Sequence, residues 1–558
     1  MVLENQFSRR GVVGMIVAAA IPSGVVAQFG GGNDVETVRL NRIGRYATGE
    51  ALGGAEIVAF HAPRNRLFVV NSGAGQVEVL DLTEPSSPTQ AGVLNASDLV
   101  GAESDVVSSV GGTNSVDIDD TLVAAAIEAE PATADGAVAF YDPSTLEFVN
   151  AVSVGPLPDK VTIGPDGNYV VVANEGEPSG STDPAGSVSV IDVSSSARDA
   201  SVETATFTDF DGQEAALREE GVHLVSSGAG EAVASTVIEP EYVTVAPGGE
   251  RAFVSIQENN AIATIDLTSA TVERIDGLGF KHFSLPGNEL DTSDVDGSSF
   301  QNWPIHGMYQ PDAIDTYEVG GDTFVVTANE GDAKDFEVSV LKNLELDPAG
   351  FDLSENAYVD SVEELKSPEN LGNMEVNEAA MAEFANGENG YTDIYAIGGR
   401  SFSVWQVEDD GLRLAFDSGS RFERTFAERY PGGHVNVVES GPETESVELG
   451  VVGDRTFAFV GQEKGSGIAT YDVTSPENPE YVQMNVNRDY SVSEDDLAAA
   501  AEANPRSDEP ARAGDFAPEG VYFVPASESP IRNPLVCVGF ETSGTVGVFE
   551  VTPVTDTS

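Results

Sequence analysis

Hydrophobic runs that end on Glu recur along this chain, and their pattern decides what it can fold into. They read LVAAAIE (122–128), YVVVANE (169–175), AFVSIQE (252–258), FVVTANE (324–330), FAFVGQE (457–463) and LVCVGFE (535–541). LFVVNSG (67–73) and IYAIGGR (394–400) fit the same frame without the Glu. A Gly-rich turn and an alternating strand ending in Asp follow most of them, as in GSVSVID; a short strand led by an acid precedes most, as in PDKVTI. A fourth strand often completes the unit, as in FVNAVSV (148–154). Period-two alternation bounded by turn residues marks antiparallel strands. A four-stranded unit cannot bury both faces alone, so repeated units pack radially. The chain is predicted to be all-β, a single β-propeller.

Eight blades are counted, and the irregularity of the fifth and sixth units leaves seven open. The last unit supplies three strands only, ending at GTVGVFEV (544–551), while ETVRLNRIGRY (36–46) is a strand without a unit. Pairing the two completes the final blade with the N-terminal strand and closes a ring over 36–552, leaving 553–558 as a tail. Helical insertions are expected in the loops. DGQEAALREEG (211–221) offers an Asp N-cap, and SEDDLAAAAEANP (493–505) opens on a Ser-x-x-Asp capping box.

Because the first two strands of a unit are antiparallel, the acid leading the first and the Glu ending the second gather on one face of the disc. The leading set is Glu56, Asp159, Glu241, Asp312, Glu445 and Glu519, with Asn114 in the second unit; the closing set is Glu128, Glu175, Glu258, Glu330, Glu463 and Glu541. One residue in six is acidic, so one or two of eight equivalent positions should be acidic by chance, against six in each set. Crowded carboxylates repel unless neutralised, and hard oxygen ligands favour Ca²⁺ or Mg²⁺. The metal-ligand candidates are Asp159, Glu175, Glu241, Glu258, Asp312, Glu330, Glu445, Glu463, Glu519 and Glu541. The alternative is a duty within the fold, carboxylates accepting backbone N–H groups at the blade tops.

Arg400, in IYAIGGRSFSVW, takes the Glu position of its unit. It is either an internal counterion or, beside a metal, the fork that holds phosphate, sulfate or a substrate carboxylate. DTSDVDG (291–297) sets Asp291, Asp294 and Asp296 as in a calcium loop but lacks the closing Glu, and an Asp-stabilised turn fits equally. His61, His223, His282, His306 and His434 show no ligand spacing; His306 alone precedes a rim position. The single Cys537 reads as a small buried hydrophobe.

There are 93 acidic residues against 27 basic ones, a formal net charge of -66, and Lys occurs six times. This is the solvated surface of an extreme halophile's protein, screened by concentrated salt, and it makes nucleic acid and anionic membranes poor partners. FSRRGVVGMIVAAAIPSGVVAQ sets Arg9-Arg10 before an apolar stretch, the pattern of a twin-arginine signal over 1–27 in preference to a structural helix. No later segment approaches the ~20 apolar residues of a membrane span.

GPLPDKVTIGPDGNYVVVANEGEP, NWPIHGMYQPDAI, VVTANEGD, IYAIGGRSFSVW, GPETESV and FAPEGVYFV together resemble the choice-of-anchor I family, over about 40–552. The chain looks like a haloarchaeal-type member. The family includes the mesenchyme-specific cell surface glycoproteins of animals, so the resemblance implies an exported or surface-held propeller, in animals associated with calcium biomineral. Phe540 and His306 depart from the family pattern, and no anchor follows the domain. The expected function is a secreted, divalent-cation-binding module, extracellular or surface-associated, with a small anionic or surface ligand. The alternative is a metal-dependent phosphoesterase of the alkaline phosphatase or phytase propeller type, for which Arg400 would bind phosphate.

Overall fold

In the repeat, the two middle strands are tied at their ends by a buried amide. Asn174 ends the strand Tyr169–Asn174 opposite Ser187 and donates to the hydroxyls of Ser187 and Ser189 at 3.3 and 3.0 Å. Asn329 ends Asp322–Asn329 opposite Ser401 and donates to Ser401 and Ser403 at 3.2 and 2.8 Å. Both amides are fully buried. A buried amide must be paired, so each Asn holds the register of second strand against third, where a one-residue slip would turn every side chain over.

The computed structural model describes residues 35–555 apart from 97–105, 108, 227–231, 296, 335, 352, 354–355, 357, 431–436, 505 and 507–508. The twin-arginine segment 1–27, Asp296 and His434 lie outside the described residues. The fold is an all-β propeller of antiparallel four-stranded sheets. Six of them run in chain order over 58–95, 110–156, 158–206, 243–277, 314–417 and 447–486. The seventh joins Pro518–Val524, Leu535–Phe540 and Thr545–Thr555 to Val35–Ala47 from the other end of the chain.

Among the described residues there are thus seven four-stranded sheets, where the repeat count was eight. The run at 394–400 is not a second strand. Tyr395–Ala396 pairs in parallel with His306–Met308 inside a separate five-stranded sheet that also takes in Phe280–His282, Val338–Val340 and Glu375–Asn377. The next strand, Ser401–Glu408, is the third of the sheet begun by Ile314–Val319 and Asp322–Asn329. Units five and six are one sheet with a folded insertion.

The terminal strands pair antiparallel along their length, and Thr545–Thr555 reaches past 552 into the expected tail. Val38 and Leu40 turn inward while Arg39 and Asn41 face solvent. Arg42 and Arg45 both bond to the fully buried carboxylate of Asp515. Each apolar side chain buried here is worth about 1.5–3 kcal/mol. Apolar clusters lie between neighbouring sheets. One holds Val69 and Leu80 of the first sheet with Val546 and Val548 of the seventh.

Of the two predicted helices, Glu494–Ala503 is capped as expected, Ser493 accepting from the Asp496 amide at 3.2 Å. The shorter Glu214–Glu219 lacks its Asp cap, because Asp211 accepts instead from the Ser235 amide and hydroxyl.

The first strands of all seven sheets line one cavity of about 140 Å³, through Val58, Val116, Thr162, Val243, Ile314, Val447 and Val521. Carboxylates tie these strands together. Asp117 accepts from the Ile163 amide at 2.7 Å, Asp315 from Leu449 at 2.9 Å and Glu448 from Phe523 at 3.0 Å. Backbone capping of the kind considered for the rim is present here too, three residues after Asn114, Asp312 and Glu445.

Candidate functional site

The Asn-Glu-Gly ending divides its labour by residue. The Asn faces inward and sets register, as above. The Glu comes one residue later and emerges at the end of the sheet. The Gly turns the chain: Gly176 and Gly331 have φ of 74° and 99°, and a Cβ on Gly331 would lie 2.1 Å from the Gly398 Cα. Only glycine fits such a turn.

The carboxylates that this geometry delivers are electrostatic neighbours. Burial, then the charges of Glu175, Glu258, Asp312 and Asp159, pushes Glu241 well above the usual carboxylate range. Burial, then Glu330, Glu519, Asp312 and Glu463, does the same to Glu445; burial, then Glu541, Asp312, Glu56 and Glu463, to Glu519. Glu175 is raised by burial and by Asp159. Burial raises Asp159 to about 6, with Lys160 opposing and Glu128 adding. Burial also raises Glu56 to about 8, with a Ser72 hydrogen bond opposing and Glu541 adding. All ten candidate ligands therefore fall in one electrostatic network. Glu128 is different: its Oε1 accepts the Gly112 amide at 2.8 Å, a duty within the fold.

Two groups are tight enough to share an ion. Asp312, Glu330 and Glu445 each place an oxygen within 4.8 Å of the others, and so do Glu330, Glu443 and Glu463. The first contains a buried carboxylate oxygen, Glu445 Oε2, with no hydrogen-bond partner, on a residue only 8% exposed. Glu241 Oε2 is likewise buried without a partner. An uncompensated buried carboxylate is costly unless a cation reaches it.

Sequence reasoning missed Glu239, Glu443, Lys334 and Lys464. Lys334 Nζ pairs with Glu239 and lies 3.2 Å from Glu258. Lys464 Nζ lies 2.8 Å from Glu463 and 3.2 Å from Glu443. The signal was present: Glu239 and Glu443 each stand two residues before a leading acid, in EPE and ETE.

Arg400 is not at a Glu position. It immediately precedes the third strand, where Gly186 stands in the third sheet, and its own φ is 52°. Its side chain is 1% exposed, and its guanidinium is bonded to Glu423 at 2.9 Å, to the Val437 carbonyl at 3.2 Å and to the Glu439 carbonyl. The pairing with Glu423 is the geometry of a counterion, while Arg400 Nε is buried without a partner. In the loop at 291–297, Asp294 accepts from Asn373 at 3.1 Å. His306 bonds to Asp393 at 2.9 Å and stacks on Tyr395. Burial raises the Cys537 thiol to about 12, an inert core residue.

The sequence profile of the choice-of-anchor I domain matches residues 56–476. The chain is 31% identical over 315 residues to a mesenchyme-specific cell surface glycoprotein of Strongylocentrotus purpuratus, covering 49% of this chain and 38% of that protein. It is 28% identical over 173 residues to Gigasin-3a of Magallana gigas, covering 28% of this chain and 57% of that protein. It therefore aligns with only part of each relative's length. Among solved structures, the β-propeller domain of Cps50 (Swd1) from Myceliophteria thermophila matches with a TM-score of 0.45 at 9% identity, covering 92% of this chain and all of that one. Hydrazine synthase of Kuenenia stuttgartiensis matches at 0.43 and 11%, covering 90% and 97%. Among the described residues no helix is long and apolar enough to cross a membrane.

Proposed function

This chain belongs to the choice-of-anchor I family, and on that premise we propose that it is an extracellular or surface-associated binding module whose acidic face holds a divalent cation. The ring has seven blades and is closed by Val35–Ala47. The ion is calcium or magnesium, held by Asp312, Glu330 and Glu445, and it presents open coordination positions to a small anionic or surface ligand. Export by the twin-arginine route and an acid-rich surface adapted to salt complete the reading.

The observation that carries it is Glu445 Oε2, a buried carboxylate oxygen without a partner inside a three-carboxylate group. A hard cation is the counterpart such a group lacks. The cell-surface description of the sea-urchin relative supports the location. The phosphoesterase alternative drew on Arg400, whose guanidinium is engaged by Glu423, so binding is preferred to hydrolysis.

Calcium titration of the purified protein in potassium chloride tests the reading. Binding to the folded state raises Tm by mass action. A melting curve unmoved by millimolar calcium or magnesium defeats it.

A further inference from the structure

We infer that Glu330 serves two cation positions, and that one of them is filled by the chain's own Lys464. The inference rests on the reading that Asp312, Glu330 and Glu445 hold a divalent ion.

Glu330 belongs to both tight carboxylate groups. In the group with Glu443 and Glu463, the Lys464 ammonium sits 3.2 and 2.8 Å from the two partners. Glu443 is further satisfied by the Ser440 hydroxyl at 2.7 Å. In the group with Asp312 and Glu445, no ion pair to Lys or Arg occurs among the described residues, and Glu445 Oε2 is buried without a partner. Among the described residues, the group with Glu443 and Glu463 holds a cation supplied by the chain and the other does not, while Glu330, common to both, also accepts from the Gln257 amide at 2.5 Å.

The same device recurs two sheets earlier. Glu239 and Glu258 correspond in position to Glu443 and Glu463, and Lys334 lies between them. Six lysines serve the whole chain, and two are spent in this way. At the remaining sheet between them, the residue two before the leading acid is Gln310, not an acid, and its amide donates to the Asp332 carbonyl. An ammonium is a compact point charge with three donors. It can stand where a monovalent ion would, neutralising two carboxylates and leaving the third shared.

Lys464 therefore holds the divalent stoichiometry of this part of the face at one. Removing its charge should leave Glu330, Glu443 and Glu463 as an all-oxygen group open to a second hard ion.

The test is calcium binding by equilibrium dialysis on the full chain, stripped with chelator and held in potassium chloride. Wild type should bind one ion, Lys464→Met two, and Lys464→Arg one. Glu443→Gln in the wild-type background should leave the count at one, while Asp312→Asn should abolish it; these two keep the inference testable if Lys464→Met does not fold. One ion on a folded Lys464→Met, two on wild type, or loss of binding in Glu443→Gln each overturns the role of Lys464 while leaving the cation site standing. No ion on wild type overturns the site and this inference together.

Discussion

Ser401 sits opposite Asn329 in the fifth sheet although the two are seventy-two positions apart in the chain. The pairing identifies the true third strand and places the whole insertion outside the blade. Asn329 also accepts from the Thr327 hydroxyl at 2.7 Å. Asn329→Ala leaves three buried hydroxyls short of a partner and should destabilise the protein by about 2 kcal/mol or more. Thermal melts of the variant and of Asn174→Ala, in one fixed salt, check this.

The terminal strand should be indispensable. Asp515→Asn removes a buried carboxylate shared by Arg42 and Arg45, and a loss of about 1–3 kcal/mol is expected from charge-assisted bonds of this kind. Deleting 35–47 leaves Thr545–Thr555 as an open edge, and aggregation measured by light scattering should follow.

Calcium should stabilise wild type by about 2.7 kcal/mol at a hundredfold excess over Kd. The double variant Asp312→Asn, Glu445→Gln should lose that response. It should also melt higher than wild type without calcium, because two mutually repelling buried carboxylates are gone. Paired calorimetry with and without chelator reads both signs.

His223 supplies a pH dependence. Its Nδ1 lies 2.6 Å from Glu383 and its Nε2 3.1 Å from Glu337. Burial disfavours the imidazolium, but the hydrogen bonds and charges of both carboxylates outweigh it and raise the pKa from 6.5 to about 9. A raised pKa means the stabilisation is complete below pH 6.5 and is lost as pH climbs through about 9. The loss is on the order of 3 kcal/mol. Denaturant melts from pH 6 to 9.5 should show the decline in wild type and a flatter profile in His223→Gln.

Arg400→Met should strand the buried Glu423 and destabilise by about 3–5 kcal/mol. Calcium affinity should stay unchanged, since Arg400 pairs with Glu423 and not with the three ligands. A large affinity change would restore Arg400 to the site.

The sheets were legible because strand alternation is a local pattern. The number of four-stranded sheets was less so, because IYAIGGR imitates a second strand, and its parallel neighbour His306–Met308 shows it to belong to another sheet. A discriminating cue did exist. Ser-Val-Ser-Val at 187–190 and Ser-Phe-Ser-Val at 401–404 both follow a buried Asn with Ser at alternate positions, which marks 401 as the start of a third strand. The lysines escaped notice for a different reason. Lys334 reaches Glu239 across ninety-five positions, a contact that strand periodicity cannot announce.

A sheet built from both ends of a chain also has a history. Val35–Ala47 leaves the ribosome first among the described strands, and its partner Thr545–Thr555 leaves last. At 5–20 residues per second, the interval is roughly half a minute to two minutes. Throughout it the opening strand must wait without recruiting a stranger. Arg39, Arg42 and Arg45 space positive charge along it, the usual guard of an unpaired edge. The seventh sheet cannot be completed until Thr545–Thr555 has been made.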